Sequence, residues 1–399
     1  MIHQRPLAGI RVLDLSRVLA GPFCTMNLAD LGAEVIKIEL PGTGDDSRGY
    51  APRIPDSGDS AYFYSVNRGK LSVTLDLRRS AGAELFCELV RHADVVVENF
   101  SPGTMERFNL GFQRLQAANP RIILCSISGF GQTGPMASAP AYDIVAQALG
   151  GTMSITGAPD GAPTRCGVSI GDLAAALYGA VAILAALRIR DQTGEGQHLD
   201  IAMLDCQVAW LEDALARFST TGRVPGPIGS RHPSITPFQP FRAADGYFVA
   251  GCGNEAIWRR FCDAIGLSEL KDDQRFATNA DRTANHSRLE AILSRHFATR
   301  PRSHWLAQLQ QANVPAAPIA TVDEVAANPH LQERDMILRA DHPVFHDLIV
   351  PGSPLKTAGI RGAPATRAPS LGENTEQVLQ QLLGYSPEQI AELRAKQII

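Results

Sequence analysis

The chain has 399 residues, 45% of them apolar and 20% charged, with a net charge of −4 at pH 7 and an isoelectric point near 6.2. That is an ordinary soluble globular mix with room for two or three domain-sized units, and it gives no electrostatic ground for a nucleic-acid or membrane partner. The seven cysteines (24, 87, 125, 166, 206, 252 and 262) are scattered without a C-x-x-C pair. They read as buried thiols of a reducing compartment, neither a disulfide framework nor a zinc site. Residues 1–6 carry no signal-peptide or transit pattern, so a cytoplasmic location is expected.

In chain order, strands are predicted at 10–15, 34–39, 71–77, 94–100 and 121–126, with helices at 25–31 and 81–92 between them. Short apolar strands alternating with helices imply a parallel sheet covered on both faces, a Rossmann-like α/β architecture. Ligands of such sheets bind at the carboxyl ends of the strands. Here those ends are residues 16–22, 39–42 and 99–103, which carry turn residues and polar groups. The chain has no G-x-G-x-x-G and no P-loop, which speaks against a dehydrogenase or nucleotide hydrolase.

An apolar run rich in small residues, 174–187, reads as a buried helix of about 15 residues, too short for a membrane span. A Gly-rich turn at 191–200 leads into a strand, and a helical stretch is predicted from 202 to 218. The Pro/Gly-dense segment 221–230 marks a domain boundary. Beyond it a strand at 246–251 and helices at 254–264, 285–299 and 303–312 imply a smaller α+β domain, 226–325. Residues 1–225 and 326–399 then form the large domain. Its tail, punctuated by Pro351, Pro354, Pro364 and Pro369 and closed by a helix near 375–397, is expected to wrap back over another part of the molecule.

Asp172 stands just ahead of the apolar run, in Gly171-Asp172-Leu173. A carboxylate there meets the free N–H groups and the positive end of a helix, which is expected to keep it ionised and oriented. Such a group can attack an acyl carbon. The same placement also suits an ordinary helix N-cap.

Nine patches in order resemble the family III CoA-transferases: Gly9–Pro22, Leu31–Glu39, Asn67–Lys70, Asp94–Gly103, Ser128–Pro135, Tyr142-Asp143, Asp172, Thr193–Gln197 and His232–Ser234. Within that family Gly44–Arg48 and Arg231–Ile235 look most like the succinyl-CoA:glutarate type. The resemblance implies reversible transfer of CoA from an acyl-CoA, succinyl-CoA foremost, to a small carboxylic or dicarboxylic acid. Asp172 would carry it through an aspartyl anhydride and an aspartyl-CoA thioester. It further implies CoA contacts at Val18, Leu75, Asn99, Phe100 and Arg107, and a supporting role for Asp143. An interlocked homodimer is implied, in which the partner's small domain closes the site, with no metal and no permanently bound cofactor. Arg48, Arg231 and His232 are candidates for the distal carboxylate of an acceptor; each also reads as a solvated or structural residue. Leu40 and Pro140 stand where formyl-CoA transferase has basic residues, so the contacts to the CoA phosphates differ. The glycine-rich lid of that enzyme is also missing, which counts against oxalate as acceptor.

Two other readings remain. A 2-methylacyl-CoA racemase of the same superfamily would need a His beside its Asp, and the matching place here is Ala141-Tyr142-Asp143. A non-catalytic CoA-binding subunit sits poorly with the intact Gly171-Asp172.

Overall fold

The computed structural model describes residues 5–356 and 367–399, so Pro364 lies outside the described residues. Two compact units are present. The first comprises the chain up to Thr152, Arg165–Ala216, and the chain from Asn328 onward; the second comprises Met153–Thr164 and Arg217–Ala327.

The first unit is built on a six-stranded sheet: β1 (Arg11–Asp14), β2 (Glu34–Glu39), β3 (Lys70–Thr74), β4 (Val95–Glu98), β5 (Ile123–Ser128) and β6 (His198–Ala202). The spatial order is β3-β2-β1-β4-β5-β6 and every pairing is parallel. Val95, Val96 and Val97 are all fully buried, as in a sheet covered on both faces. The order reverses between β1 and β4, and their carboxyl ends therefore flank a crevice where such sheets bind ligands. On the β3 edge the C-terminal segment supplies partners for the exposed backbone. Ser72 N–H donates to Asn374 Oδ1 at 3.0 Å and Thr74 N–H to Thr375 Oγ1 at 3.0 Å, which blunts a reactive edge.

Several elements depart from the sequence expectations. The first helix runs Ala20–Asp30, starting five residues before the predicted 25. Gly21-Pro22 reads as a turn, but proline is tolerated in a first helical turn, where no N–H is needed. The predicted helix 202–218 is two helices, Met203–Ala209 and Ala214–Thr221, and the final helix is likewise two, Thr375–Leu383 and Pro387–Ala395. In the last case Gly384 ends the first helix at φ 69°, and a Ser386/Gln389 capping box starts the next.

The helix carrying Asp172 spans Ile170–Thr193, 24 residues rather than about 15. It continues because Arg190 is drawn inside, paired with Asp94 at 2.7 Å, until Gly194 closes it at φ 79°. Small residues bring it close to the sheet: a Cβ at Gly179 would lie 3.2 Å from Ile127 Cδ1. By length and composition this helix could cross a membrane, with a mean hydropathy of 2.0 over its best window, half of which is buried in the fold. Its outer face exposes Leu177, Tyr178, Val181 and Leu184.

The second unit has an antiparallel sheet of β7 (Phe238–Arg242), β8 (Tyr247–Gly251) and β9 (Ala316–Pro318). Helices Glu255–Ala264, His286–Phe297 and Arg302–Gln311 supply Trp258, Phe261, Phe297 and Trp305 to its core. Phe297 meets Phe241 and Phe248 with ring centroids 5.0 Å apart, the tilted and edge-on contacts that aromatic rings prefer.

Candidate active site

Two adjoining clefts open at the carboxyl ends of the strands of the first unit. The smaller, about 270 Å³, is lined by Leu40, Leu75, Leu77, Arg78, Phe100 and Phe108 among others. The larger, about 710 Å³, is lined by Val18, Tyr50, Tyr62, Asn99, Phe100, Asp143, Arg165 and Asp172. Arg17, Asp46, Phe100 and Thr104 border both.

Asp172 is the third residue of its helix, after Ser169 at the N-cap. The expectation that the helix end keeps it ionised is not met in full. Burial, and then the charge of Asp143, push its carboxyl up to about 7. A helix terminus favours a carboxylate by only about 0.3–1 kcal/mol, less than desolvation and a like charge take away.

Asp143 opens the helix Asp143–Leu149 and is itself held on both oxygens. Its Oδ1 accepts the Gly171 N–H at 2.7 Å and its Oδ2 accepts the Gln147 amide at 2.7 Å. Gln147 Oε1 in turn accepts the Cys166 N–H at 2.9 Å. The segment leading to Asp172 is thus tied to the Asp143 helix at two points. Gly171 makes the tie possible, since a Cβ there would come within 3.0 Å of Asp143 Oδ1.

Two tyrosines complete this end of the cleft, and sequence reasoning missed both because no element was assigned between residues 49 and 66. Burial and the charge of Asp172 push the Tyr62 phenol up to about 12, so it is a neutral donor at physiological pH. Tyr50 meets it edge-on at 5.5 Å. Arg165 was also missed; it lies in a segment left without an element.

The β1 and β4 ends are stitched together across the crevice. Arg17 N–H donates to Asn99 Oδ1 at 2.8 Å, and Asn99 Nδ2 donates to the Arg17 carbonyl at 2.9 Å. Val18 follows in the left-handed region, φ 67°. Its N–H reaches both oxygens of Asp45, at 3.1 and 3.2 Å. Beneath lies a buried ionic network in which Lys37 pairs with Asp45 at 2.8 Å and Lys70 with Asp14 at 2.9 Å. Burial alone would raise the Asp14 carboxyl, but Lys70 and Lys37 hold it well below the usual range. Burial lowers Lys70 to about 8.

Of the residues singled out from the sequence, Val18, Asn99 and Phe100 line the Asp172 cleft together with Asp143, and Leu75 lines the adjoining one. Arg107 lines neither; it is exposed and donates to Thr104 Oγ1 at 2.6 Å. Arg48 is committed elsewhere, with two bonds of 2.7 Å to Glu39, a third to the Pro369 carbonyl, and its guanidinium 3.7 Å over the Phe63 ring. Arg231 and His232 lie in the second unit. His232 Nδ1 accepts the N–H groups of Ser234 and Ile235, a local turn, while Arg231 borders a cavity of about 360 Å³ with His286 and Glu290. Among the described residues no cluster of His, Cys, Asp or Glu is arranged to hold a metal.

Comparison with known proteins gives the family. Residues 7–375 match the model of CoA-transferase family III. The chain is 45% identical to an acetyl-CoA:oxalate CoA-transferase of Acetobacter aceti, covering 89% of this chain and 90% of that one. It is 39% identical to the succinyl-CoA:glutarate CoA-transferase of Homo sapiens, over 100% of this chain and 91% of that one. Among solved structures it resembles a CAIB/BAIF family protein from Brucella suis, with a TM-score of 0.84, 39% identity, and coverage of 94% of this chain and 99% of that chain. A parallel-sheet α/β unit with a carboxylate at the strand-end crevice, matched over most of its length by named CoA-transferases, establishes that the chain belongs to CoA-transferase family III and is an enzyme of that kind.

Proposed function

We propose that this enzyme moves CoA reversibly from succinyl-CoA, or a related small acyl-CoA, to a small carboxylic acid, with Asp172 as the group that carries the acyl and CoA moieties in turn. The observation that carries the reading is the Asp172 carboxyl itself, at a helix start in the strand-end cleft, with burial and Asp143 raising its basicity to about 7. A carboxylate of that basicity attacks acyl carbon more readily than one titrating near 4, and it is still about nine-tenths ionised at pH 8.

An Asp172 oxygen adds to the thioester carbonyl, the C–S bond breaks, and CoA leaves as thiolate, giving a mixed anhydride. The thiolate then adds to the Asp172 acyl carbon and expels the donor acid as carboxylate, leaving an aspartyl-CoA thioester. The acceptor carboxylate reverses both steps and leaves with CoA. One thioester is exchanged for another, so the balance needs no ATP, metal or redox partner. An anhydride open to water would hydrolyse, so the site has to exclude water while the intermediate exists. The neutral Tyr62 phenol lines the same cleft and supplies a donor for oxygen charge that develops beside Asp172.

CoA suits the paired clefts. Leu40, Leu75, Leu77 and Phe108 offer an apolar slot for a flat base, and Arg17 and Arg78 border it, each paired with a carboxylate (Asp46 at 3.2 Å, Asp76 at 2.8 Å) that a phosphate would displace. A homodimer accounts for the exposed apolar face of the Asp172 helix at Leu177, Tyr178, Val181 and Leu184, which a single chain would leave in water. Sedimentation at micromolar concentration reads this directly; a monomer would remove it.

The relatives' names carry oxalate and glutarate, so oxalate stays on the panel despite the missing lid. Purified enzyme is offered succinyl-CoA or acetyl-CoA with glutarate, oxalate, malate, mesaconate or carnitine, and new acyl-CoA masses are sought. A new thioester with one acid, lost in Asp172→Ala, supports the reading. No new thioester with any pair, or unchanged exchange in Asp172→Ala, overturns it.

A further inference from the structure

Val18 is a β-branched residue held at φ 67°, a conformation in which its Cβ crowds the backbone. Among the described residues it is the one non-glycine position lining either cleft that has a positive φ. Backbone strain of this kind persists only where the surroundings over-determine it.

At the centre of those surroundings is the Lys37–Asp45 ion pair of the buried network. Lys37 and Asp45 both have fully buried side chains, 2.8 Å apart. The Lys37 ammonium also donates to the Ser16 carbonyl at 2.7 Å. Asp45 accepts the Val18 N–H, and its Oδ1 is fixed further by the Ser47 N–H and hydroxyl at 2.8 and 2.7 Å. The two partners thus grip the chain on either side of Arg17: the cation holds the carbonyl before it, the anion the N–H after it. Asn99 from the β4 end grips Arg17 itself.

We propose that the Lys37–Asp45 pair is a positioning device for the acyl-CoA rim: it enforces the left-handed turn at Val18 and so fixes the β1 corner against Asn99. Both residues border the smaller cleft with fully buried side chains, and neither lines the cleft that holds Asp172. They act through Val18, and the inference rests on the reading that CoA occupies these clefts. Without the pair, Val18 relaxes to a negative φ, the corner moves, and acyl-CoA loses its rim while the Asp172 chemistry stays intact.

The test reads KM for succinyl-CoA, KM for the acceptor acid and kcat separately. Asp45→Ala is expected to raise KM for succinyl-CoA about tenfold, with kcat and the acceptor KM changed less than threefold. Adding Val18→Gly, which enters the left-handed region without strain, is expected to recover at least half of that loss on a logarithmic scale. A general loss of fold would lower kcat and melting temperature together and would not respond to a glycine at residue 18. If Asp45→Ala does not fold, Lys37→Met carries the same pair of expectations. An unchanged KM, or no recovery with Val18→Gly in a folded background, overturns the proposal. Phe100→Ala separates the two levels: if it weakens CoA binding while Asp45→Ala does not, only the positioning role fails; if neither does, CoA does not use these clefts.

Discussion

The raised carboxyl of Asp172 has a consequence for stability that can be measured without any substrate. Its titration moves from the ordinary Asp value of 3.8 to about 7, burial being the first cause and Asp143 the second. Below pH 4 the carboxyl is protonated in both folded and unfolded chains and costs nothing. Between pH 4 and 7 the unfolded chain ionises it and the folded one does not, so stability falls as pH rises; above 7 the cost is constant. At about 1.4 kcal/mol per unit, the full shift is worth ~4 kcal/mol at pH 8, and screening through the open side of the cleft reduces this to about 2–3 kcal/mol. Asp172→Asn keeps the shape and removes the charge. The variant should therefore melt above the parent enzyme at pH 8, by about 2–4 °C for a chain of this length, and the gain should shrink steadily towards pH 5. Paired thermal melts at a fixed scan rate across pH 5–8 read the difference. A gain that does not vary with pH, or a variant less stable than the parent at pH 8, refutes the reasoning.

Three further outcomes follow from the site. With an ionised Asp172 as nucleophile, kcat/KM should fall about tenfold per pH unit below 7; Asp143→Asn removes the like charge and should move that acid limb to lower pH, and a limb that stays put separates the two carboxylates. Phe100→Ala, which opens the wall shared by both clefts, should raise KM for acyl-CoA about tenfold and leave the acceptor KM within threefold in steady-state kinetics. Gly171→Ala puts a Cβ 3.0 Å from Asp143 Oδ1 and should lower kcat at least tenfold at unchanged secondary structure by circular dichroism, since it displaces the tie that sets the Asp172 segment.

Much of the large unit was legible because parallel strands buried on both faces spell themselves as apolar runs: Val95-Val96-Val97 and Glu34–Glu39 could hardly be read otherwise. The carboxyl-end rule marks residues 16–22 and 99–103, the family resemblance names Val18, Asn99 and Phe100 within them, and these three share a cleft with Asp172. What stayed hidden depended on contacts remote in sequence. The Asp172 helix continues to Thr193 because Arg190 finds Asp94, 96 residues away. Arg48 looked free for a substrate carboxylate, yet Glu39 at the end of β2 binds its Nε and Nη2 in a bidentate pair. The basicity of Asp172 was misread for the same reason: local sequence shows the helix end but neither the burial nor Asp143 behind it. Tyr50 and Tyr62 sit in a stretch with no periodic pattern, where only folding brings them to the cleft.

The central claim is that Asp172 itself becomes the acyl and CoA carrier. Intact-protein and peptide mass spectrometry after brief mixing with succinyl-CoA, without acceptor, tests it most directly. The account predicts a covalent adduct of one CoA less one water, confined to the peptide containing Asp172, discharged by an acceptor acid and absent in Asp172→Ala. An adduct on another residue, or CoA exchange that persists in Asp172→Ala, contradicts it.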